Sequence, residues 1–219
     1  MPGEARHAQP WSPLYEMGRQ AVIDWGRAVN GFQVAGRGNV PRDRGCLVVC
    51  NHLADSDGAF VGAALPPWTR PIHLVTARHH DGPAPIRELL LRFGLEPVRT
   101  DGTEMAALRH ARRVMQDGGV VVIYPEGVPG YSARVQPFAD GVGWLALTPG
   151  IAVVPAAVWG TQHVMRRGLP IGRGPVRAAF GSPFALDGLA GSRALRVPEA
   201  TWRIRDRVQG LVSGLSALP

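Results

Sequence analysis

Short apolar runs alternate with longer amphipathic stretches along this chain. The runs contain mostly hydrophobic residues at successive positions, which is typical of strands buried on both faces of a sheet. We expect Pro155 to interrupt the fifth strand and the sixth strand to lie at an edge of the sheet. The predicted strands are residues 47–49, 72–75, 95–98, 120–124, 151–158 and 176–180.

Between these runs, apolar residues recur at spacings of three and four, which predicts amphipathic helices. Alternating strands and helices indicate a single-domain α/β sandwich, in which helices flank a mixed, mainly parallel sheet. Residues 1–12 are predicted to be a flexible tail, 13–32 an N-terminal amphipathic helix and 33–219 the α/β domain. The further predicted helices are residues 57–65, 85–93, 104–117, 138–147 and 202–215.

The N-terminal helix has two interpretations. Its apolar stripe can pack against the domain, as in many globular proteins. Alternatively, the helix lies in a membrane interface, with Trp25 and Phe32 in lipid and arginine side chains at the headgroups.

The charge of the chain narrows the range of partners. All 24 basic residues are arginine, and the net charge is +7, which favours an anionic membrane surface, a phosphorylated substrate or nucleic acid. Basic residues interleaved with aromatic ones are not found, so we expect no nucleic-acid partner. No apolar stretch has the length of a membrane span, and the first residues lack the apolar core of a secretory signal.

The two cysteines indicate a reducing compartment. Cys46 and Cys50 lie on the same predicted strand, where a disulfide between them is geometrically unfavourable. Neither has partners at metal-ligand spacing, and we expect no metal site. We therefore predict two reduced core thiols and a cytoplasmic protein.

A histidine with two nearby carboxylates follows the first predicted strand. Imidazole titrates near neutral pH, so His52 is a candidate general base, and a carboxylate on its far nitrogen would fix the tautomer. Asp57 can reach His52 if the chain turns after the strand and Asp57 lies in the first turn of a helix with Ser56 as N-cap. Asp55 is the alternative partner. A purely structural reading, in which these residues only cap a helix, also remains open.

Several polar residues follow predicted strands directly. His52, Arg99, Glu126 and the loop after Val158 all lie at carboxyl ends of strands. Because ligands of open α/β sheets bind at that edge, we expect these residues to share one site.

Four ordered segments resemble the glycerolipid acyltransferases, the family that includes lysophosphatidic acid acyltransferases. Asn51-His52 and Asp57 match the NHxxxxD motif, and the segment 94–99 resembles the second motif, whose basic residue binds phosphate. Residues 124–127 (Tyr-Pro-Glu-Gly) resemble the FPEG motif, and 153–157 the final apolar motif with its proline. The resemblance covers residues 33–185.

This resemblance implies an activity and a set of roles. His52, oriented by Asp57, would deprotonate the free hydroxyl of a lysophospholipid such as 1-acyl-glycerol-3-phosphate, which then attacks the thioester of acyl-CoA or acyl-carrier protein. No cofactor beyond this co-substrate is implied. The enzyme would be peripheral on the inner face of the cell membrane. The implied substrate-binding residues are Asn51, Arg99, Glu126, Gly127 and Arg134.

Two departures from the family pattern concern the phosphate. The second motif ends in Arg99-Thr100, and Val128-Pro129 stand where the family has Thr-Arg after the FPEG glycine. Arg134 is the nearest arginine that can substitute. Two alternatives therefore remain: a different hydroxylated lipid acceptor, such as a glycolipid, or a non-catalytic lipid-binding module.

Overall fold

The computed structural model describes residues 13–69, 72–75, 95–97, 104–132, 134–166 and 169–218. Its helices are α1 (Pro13–Asn30), α2 (Asp57–Ala64), α3 (Glu104–Gln116), α4 (Gly141–Ala146) and α5 (Arg193–Ser216). Its strands are β1 (Gln33–Ala35), β2 (Cys46–Cys50), β3 (Ile72–Val75), β4 (Leu95–Pro97), β5 (Val120–Ile123), β6 (Ala152–Trp159), β7 (Met165–Arg166), β8 (Leu169–Pro170) and β9 (Arg177–Phe180). The predicted helix 85–93, Val98, Arg99 and the Thr103 cap lie outside the described residues.

Seven of these strands form one sheet in the order β1-β9-β6-β2-β5-β3-β4, while β7 and β8 form a separate hairpin. The central strand β2 pairs in parallel with both β5 and β6. Among the described strands of this sheet, only β6 and β9 pair antiparallel. Register aligns Val49 with Ile123 and Cys50 with Ala156. The carboxyl ends of β2, β5 and β6 therefore meet at one edge of the sheet.

Helices cover both faces of this sheet, which confirms the predicted α/β sandwich. On one face, Ile23 of α1 and Phe60 of α2 belong to a buried cluster with side chains of β2. On the other face, Leu108 of α3, Val142 of α4 and Ile204 of α5 belong to a second cluster. All five residues of β2 are buried, which explains why its sequence is an unbroken apolar run.

Two predictions about the strands were wrong. β6 passes through Pro155 without a break, because proline removes only a donor and its carbonyl still accepts the Gly181 N–H at 2.7 Å. β9 is not an edge strand, because β1 pairs along its outer side. β1 has only three residues, too few for a hydrophobic pattern to reveal it.

Helix boundaries also differ from the prediction. α5 begins at Arg193, nine positions before the predicted start at 202, and contains Pro198. A proline in an early turn of a helix reads as a break in the sequence, although the later turns carry the packing contacts. α1 ends at Asn30 and α4 covers only Gly141–Ala146, whereas α2 ends one residue before the predicted boundary.

The N-terminal helix α1 packs against the domain, which was one of its two interpretations. Phe32 is buried, with its ring edge-on to Phe60 at a centroid distance of 5.0 Å. Of the two interpretations, the one in which Phe32 contacts lipid is therefore wrong. Trp25 is 50% exposed and Met17 also lies at the surface.

Two further findings concern the oxidation state of the cysteines and the character of the helices. Cys46 and Cys50 are free thiols buried in the core, as predicted. Within the described part of the chain, no helix combines the length and the apolar character that crossing a bilayer requires.

Close packing of α4 on α5 depends on Gly143. A Cβ atom at this position would overlap with Thr201 Oγ1 and with the carbonyl oxygen of Val197. We expect Gly143→Ala to lower the free energy of unfolding by about 1–3 kcal/mol, because the two helices must move apart. Gly210→Ala is the control on the exposed side of α5, where a Cβ meets no atom within 4 Å. It should raise stability by about 0.4–1 kcal/mol. Denaturant unfolding measures the change in unfolding free energy for both variants. Equal changes in the two variants would contradict the packing argument.

Candidate active site

His52 and Asp57 meet where the chain leaves β2 and enters α2. His52 Nδ1 lies 2.9 Å from Asp57 Oδ2. The same carboxylate oxygen accepts the backbone N–H groups of Leu53 at 2.6 Å and Ala54 at 2.9 Å. Asp57 has no exposed side-chain surface, whereas the His52 side chain is 17% exposed. Three donors therefore hold one carboxylate oxygen beneath a partly accessible imidazole.

This contact determines which ring nitrogen of His52 is available for chemistry. A ring N–H at Nδ1 donates to the carboxylate, which leaves the lone pair on Nε2. No hydrogen bond to Nε2 occurs among the described residues. A buried carboxylate behind the ring also stabilises the imidazolium that forms when Nε2 takes up a proton. The geometry suits a general base.

Asp55, the alternative partner of His52, points elsewhere. It is exposed, and its Oδ2 accepts the Tyr131 hydroxyl at 3.2 Å. Ser56 occupies the N-cap position of α2, as predicted, but its side chain makes no capping hydrogen bond. These residues therefore do more than cap a helix, in contrast to the purely structural interpretation.

Tyr124 forms one wall beside the imidazole. Its ring centroid lies 4.8 Å from that of His52, with the two planes tilted by 33°. The Tyr124 hydroxyl is buried and has no hydrogen-bond partner among the described residues. Burial raises the pKa of Tyr124 well above its ordinary value, so the phenol is neutral. Sequence reasoning did not single out this residue, although it opens the Tyr-Pro-Glu-Gly motif.

Glu126 contacts the backbone of His52. Its Oε1 accepts the His52 N–H at 2.7 Å, and its Oε2 accepts the Gln136 N–H at 3.0 Å. Burial raises the pKa of the Glu126 carboxyl, while these two backbone hydrogen bonds oppose the rise. The contacts observed for this predicted substrate-binding residue thus hold the position of His52.

The side chain of Asn51 makes contacts within the protein. Its side chain is fully buried. The Val158 N–H donates to Oδ1 at 2.9 Å, and Nδ2 donates to the Val158 carbonyl at 3.0 Å. The amide therefore continues the β2–β6 pairing one position beyond Cys50. Both polar atoms therefore have partners within the protein, and the substrate-binding role of Asn51 stays a prediction.

The loop after Gly127 returns to cover the His52 segment. Gly127 is exposed, has a positive φ of 77°, and donates its N–H to the Tyr124 carbonyl at 3.0 Å. A side chain here would be strained, which explains the glycine. Further along, the Gly130 N–H donates to the His52 carbonyl at 2.9 Å and the Tyr131 N–H to the Leu53 carbonyl at 3.1 Å.

Two arginines lie at this loop. Arg134 is exposed and follows Tyr131 by three residues. Arg166, at the β7–β8 hairpin, places its guanidinium 5.5 Å from the centroid of the Tyr131 ring. Arg166 was missed by the sequence analysis, because nothing in its neighbours signals a site. Arg99 lies outside the described residues.

The C-terminal helix α5 supports the far end of the same loop. Arg205 donates to the carbonyls of Gln136 at 3.1 Å and Val135 at 2.8 Å. Gln209 Oε1 accepts the Val135 N–H at 3.2 Å. A continuous set of hydrogen bonds therefore leads from α5 through residues 135–136 and Glu126 to His52.

The predicted convergence at the sheet edge is partly observed. His52 and Glu126 are in direct contact, and the end of β6 reaches the site through Asn51. In the part of the chain that the structure describes, no group of three or more His, Cys, Asp or Glu side chains could hold a metal ion.

A family model described as Acyltransferase matches residues 31–159, more than half of the chain, and the protein belongs to that family. The structure is similar to the crystal structure of the 1-acyl-sn-glycerophosphate (LPA) acyltransferase PlsC from Thermotoga maritima. The TM-score is 0.72 at 20% sequence identity, covering 97% of this chain and 85% of that one.

The names of the curated relatives do not indicate a substrate. The chain is 27% identical over 144 residues to uncharacterized proteins of Mycobacterium tuberculosis and Mycobacterium bovis. The match covers 60% of this chain but only 38% of those proteins. The chain therefore spans well under two thirds of the length of these relatives.

The hydrogen bonds of Glu126 generate a testable prediction. In Glu126→Gln, one of the two carboxylate oxygens becomes an NH₂ group, which cannot accept a hydrogen bond. The backbone N–H of either His52 or Gln136 therefore loses its acceptor. We expect kcat to fall by about a hundredfold with KM nearly unchanged, because a displaced base affects the reaction more than substrate binding. Glu104→Gln, an exposed change on α3, is the control and should retain wild-type kcat. Unchanged kcat in Glu126→Gln would contradict a positioning role.

The same variant gives a pH signature. Burial raises the Glu126 pKa above its ordinary value of 4.5, so the folded state retains a proton that the unfolded state has already lost. The stability that this protonation contributes is present below pH 4.5 and is lost as pH rises through the folded-state pKa. The unfolding free energy of wild type, measured relative to Glu126→Gln, should therefore fall with rising pH above 4.5. A rise would contradict the direction of the shift.

Proposed function

We propose that this acyltransferase moves a fatty acyl group from acyl-CoA or acyl-carrier protein to the free hydroxyl of a lysophospholipid, such as 1-acyl-glycerol-3-phosphate. One observation carries this proposal: the 2.9 Å contact between His52 Nδ1 and Asp57 leaves Nε2 as the proton acceptor in a partly exposed site. The match to an LPA acyltransferase fold supports the choice of acceptor.

The proposed reaction is direct transfer. His52 Nε2 takes the proton of the hydroxyl as its oxygen attacks the thioester carbonyl carbon. The carbon–sulfur bond then breaks, the ester forms, and the thiolate receives the proton from the imidazolium. Asp57 orients the ring and stabilises its charged form throughout.

The cysteines are poor candidates for a covalent route. Burial raises the pKa of Cys46 to about 12. Burial raises that of Cys50 well above its ordinary value, and the negative charges of Asp57 and Glu126 add to the effect. Since the thiolate is the nucleophile, both thiols are inert at neutral pH. This supports a mechanism without an acyl-enzyme.

Recognition of the acceptor phosphate is proposed for Arg134 and Arg166. Both lie at the loop whose Gly130 and Tyr131 backbone contacts the His52 segment. Guanidinium groups bind phosphate through paired hydrogen bonds. They would replace the family arginine that Val128-Pro129 displace. From the family resemblance, we also propose that Arg99 binds this phosphate. Gly127 is proposed to let the acceptor approach its backbone closely, beside Glu126.

The location of the acceptor implies the location of the enzyme. Lysophospholipids reside in membranes, so we propose a peripheral enzyme on the inner face of the cell membrane. The exposed Trp25 and Met17 side chains on α1 support an interfacial contact. A different hydroxylated lipid, such as a glycolipid, is the second candidate acceptor, favoured by the departure at Val128-Pro129.

Substitutions at the base and at both aspartates test the mechanism. His52→Ala should lower turnover by about 10²–10⁴-fold without loss of the fold, the usual contribution of a general base. Asp57→Asn should be similarly severe, since the amide disturbs the tautomer, whereas the exposed Asp55→Asn should remain within about twofold of wild type. Free CoA release, with and without acceptor, measures turnover, and circular dichroism checks folding. Near-normal turnover by His52→Ala would eliminate the mechanism, and release without acceptor would indicate a hydrolase.

A pair of acceptors tests the phosphate role of Arg166. We expect Arg166→Gln to raise KM for lysophosphatidic acid about tenfold or more, the effect of losing one charged hydrogen bond, and to leave KM for monoacylglycerol unchanged. Arg113→Gln, an exposed change on α3, is the matched control. Equal effects on both acceptors would remove Arg166 from phosphate recognition. Wild-type preference for an unphosphorylated acceptor would favour the second candidate instead.

A further inference from the structure

Three arginines on α1 and the turn after β1 form a charged cluster away from His52. Arg19 and Arg27 lie on α1, and Arg37 begins a short 3-10 turn, Arg37–Asn39. Burial lowers the pKa of Arg37, and the positive charges of Arg19 and Arg27 lower it further. Their proximity is also geometric, because Arg27 and Arg37 line one cavity, and Arg19 and Arg37 donate to adjacent carbonyls at the end of α2.

Only part of this charge is compensated. Arg19 pairs with Glu16. Neither Arg27 nor Arg37 has an ion pair with any carboxylate among the described residues. Arg27 is exposed and Arg37 is only partly buried, so water solvates both charges and both remain available to an anion.

Capping of α2 explains two of the arginines in part. Arg19 Nη1 donates to the Ala63 carbonyl at 3.3 Å, and Arg37 Nε donates to the Ala64 carbonyl at 2.9 Å. Cations at the carboxyl end of a helix satisfy its last carbonyls and favour its dipole. These capping bonds do not involve Arg27. They also use only one of the five N–H groups of the Arg37 guanidinium.

A cavity lies beside these unused donors. Its volume is about 340 Å³, and Ile23, Arg27, Phe32, Gln33, Val34 and Arg37 line it. A space of this size accommodates a phosphate group together with part of the molecule that carries it. Arg27 and Arg37 supply charge, Gln33 supplies an amide, and the remaining three residues supply an apolar wall.

The cavity is separate from the proposed reaction site. It opens next to β1, at an edge of the sheet, whereas His52 follows β2. β9 and β6 lie between β1 and β2, which places these two strands about 14 Å apart at roughly 4.8 Å per strand. One phosphate group therefore does not occupy both places.

We propose that Arg27 and Arg37 form a second phosphate-binding site, independent of the acyl-transfer site. The chemistry that it recognises is a phosphate mono- or diester, from either a lipid headgroup or a soluble phosphate compound. A bound phosphate neutralises the two uncompensated guanidinium groups and links α1 to the turn after β1. The inference goes beyond the proposed function, and its test requires no acyl transfer.

Thermal unfolding with inorganic phosphate is the first arm of the test. Binding to the folded state raises Tm, and we expect an increase of about 2–4 °C or more at saturating phosphate, relative to chloride at equal ionic strength. Arg27→Gln should lose most of this increase. Its Tm without phosphate should not fall, because one repelling charge has been removed. Arg109→Gln, an exposed arginine on α3, should respond like wild type and controls for general effects of phosphate on stability.

Vesicles are the second arm and identify the source of the phosphate. Binding to vesicles with phosphatidylglycerol is compared with binding to pure phosphatidylcholine for the same three proteins. A preference that Arg27→Gln loses and Arg109→Gln keeps assigns a lipid headgroup, whereas a response confined to inorganic phosphate assigns a soluble ligand. Equal responses of wild type and Arg27→Gln in both arms, or no response in either, overturn the proposal. His52→Ala should respond like wild type, which separates this test from that of the proposed reaction.

Discussion

One carboxylate oxygen, Asp57 Oδ2, determines the conformation of the segment between β2 and α2. It receives the imidazole Nδ1 of His52 and the backbone N–H groups of Leu53 and Ala54. Because Asp57 is buried, these three donors compete with no water, and their geometry is fixed. The same interaction starts α2 and orients the imidazole. A structural turn and a chemical group thus depend on a single atom.

The rest of the site holds the backbone of His52 in place. Its N–H donates to Glu126 and its carbonyl accepts from Gly130, while Asn51 joins the preceding residue to β6. The residue after β2, the turn after β5 and the following loop therefore all hold one peptide segment in place. Preorganisation of this kind reduces the reorganisation that a proton transfer would otherwise require. It also explains why Asn51 and Asp57, two polar residues of the motif, are buried.

Sequence patterns predicted most of the sheet and the His52–Asp57 pair, because both arise from local order: buried strands are apolar runs, and five residues separate the pair. They did not predict β1, whose three residues owe their conformation to pairing with β9. They also did not reveal the contacts of Asn51 and Glu126 with backbone groups, because a polar residue in a motif gives no sign of a partner that is distant in the chain. Contacts such as Arg205 with residues 135–136 join segments about 70 positions apart, beyond any periodic signal.

The support that α5 provides to the loop has a consequence for biosynthesis. Residues 52–57 leave the ribosome long before Arg205 and Gln209. The sheet partners β6 and β9 also follow the catalytic segment in the chain. A nascent polypeptide therefore lacks the completed support of His52 until α5 has emerged and docked on the loop.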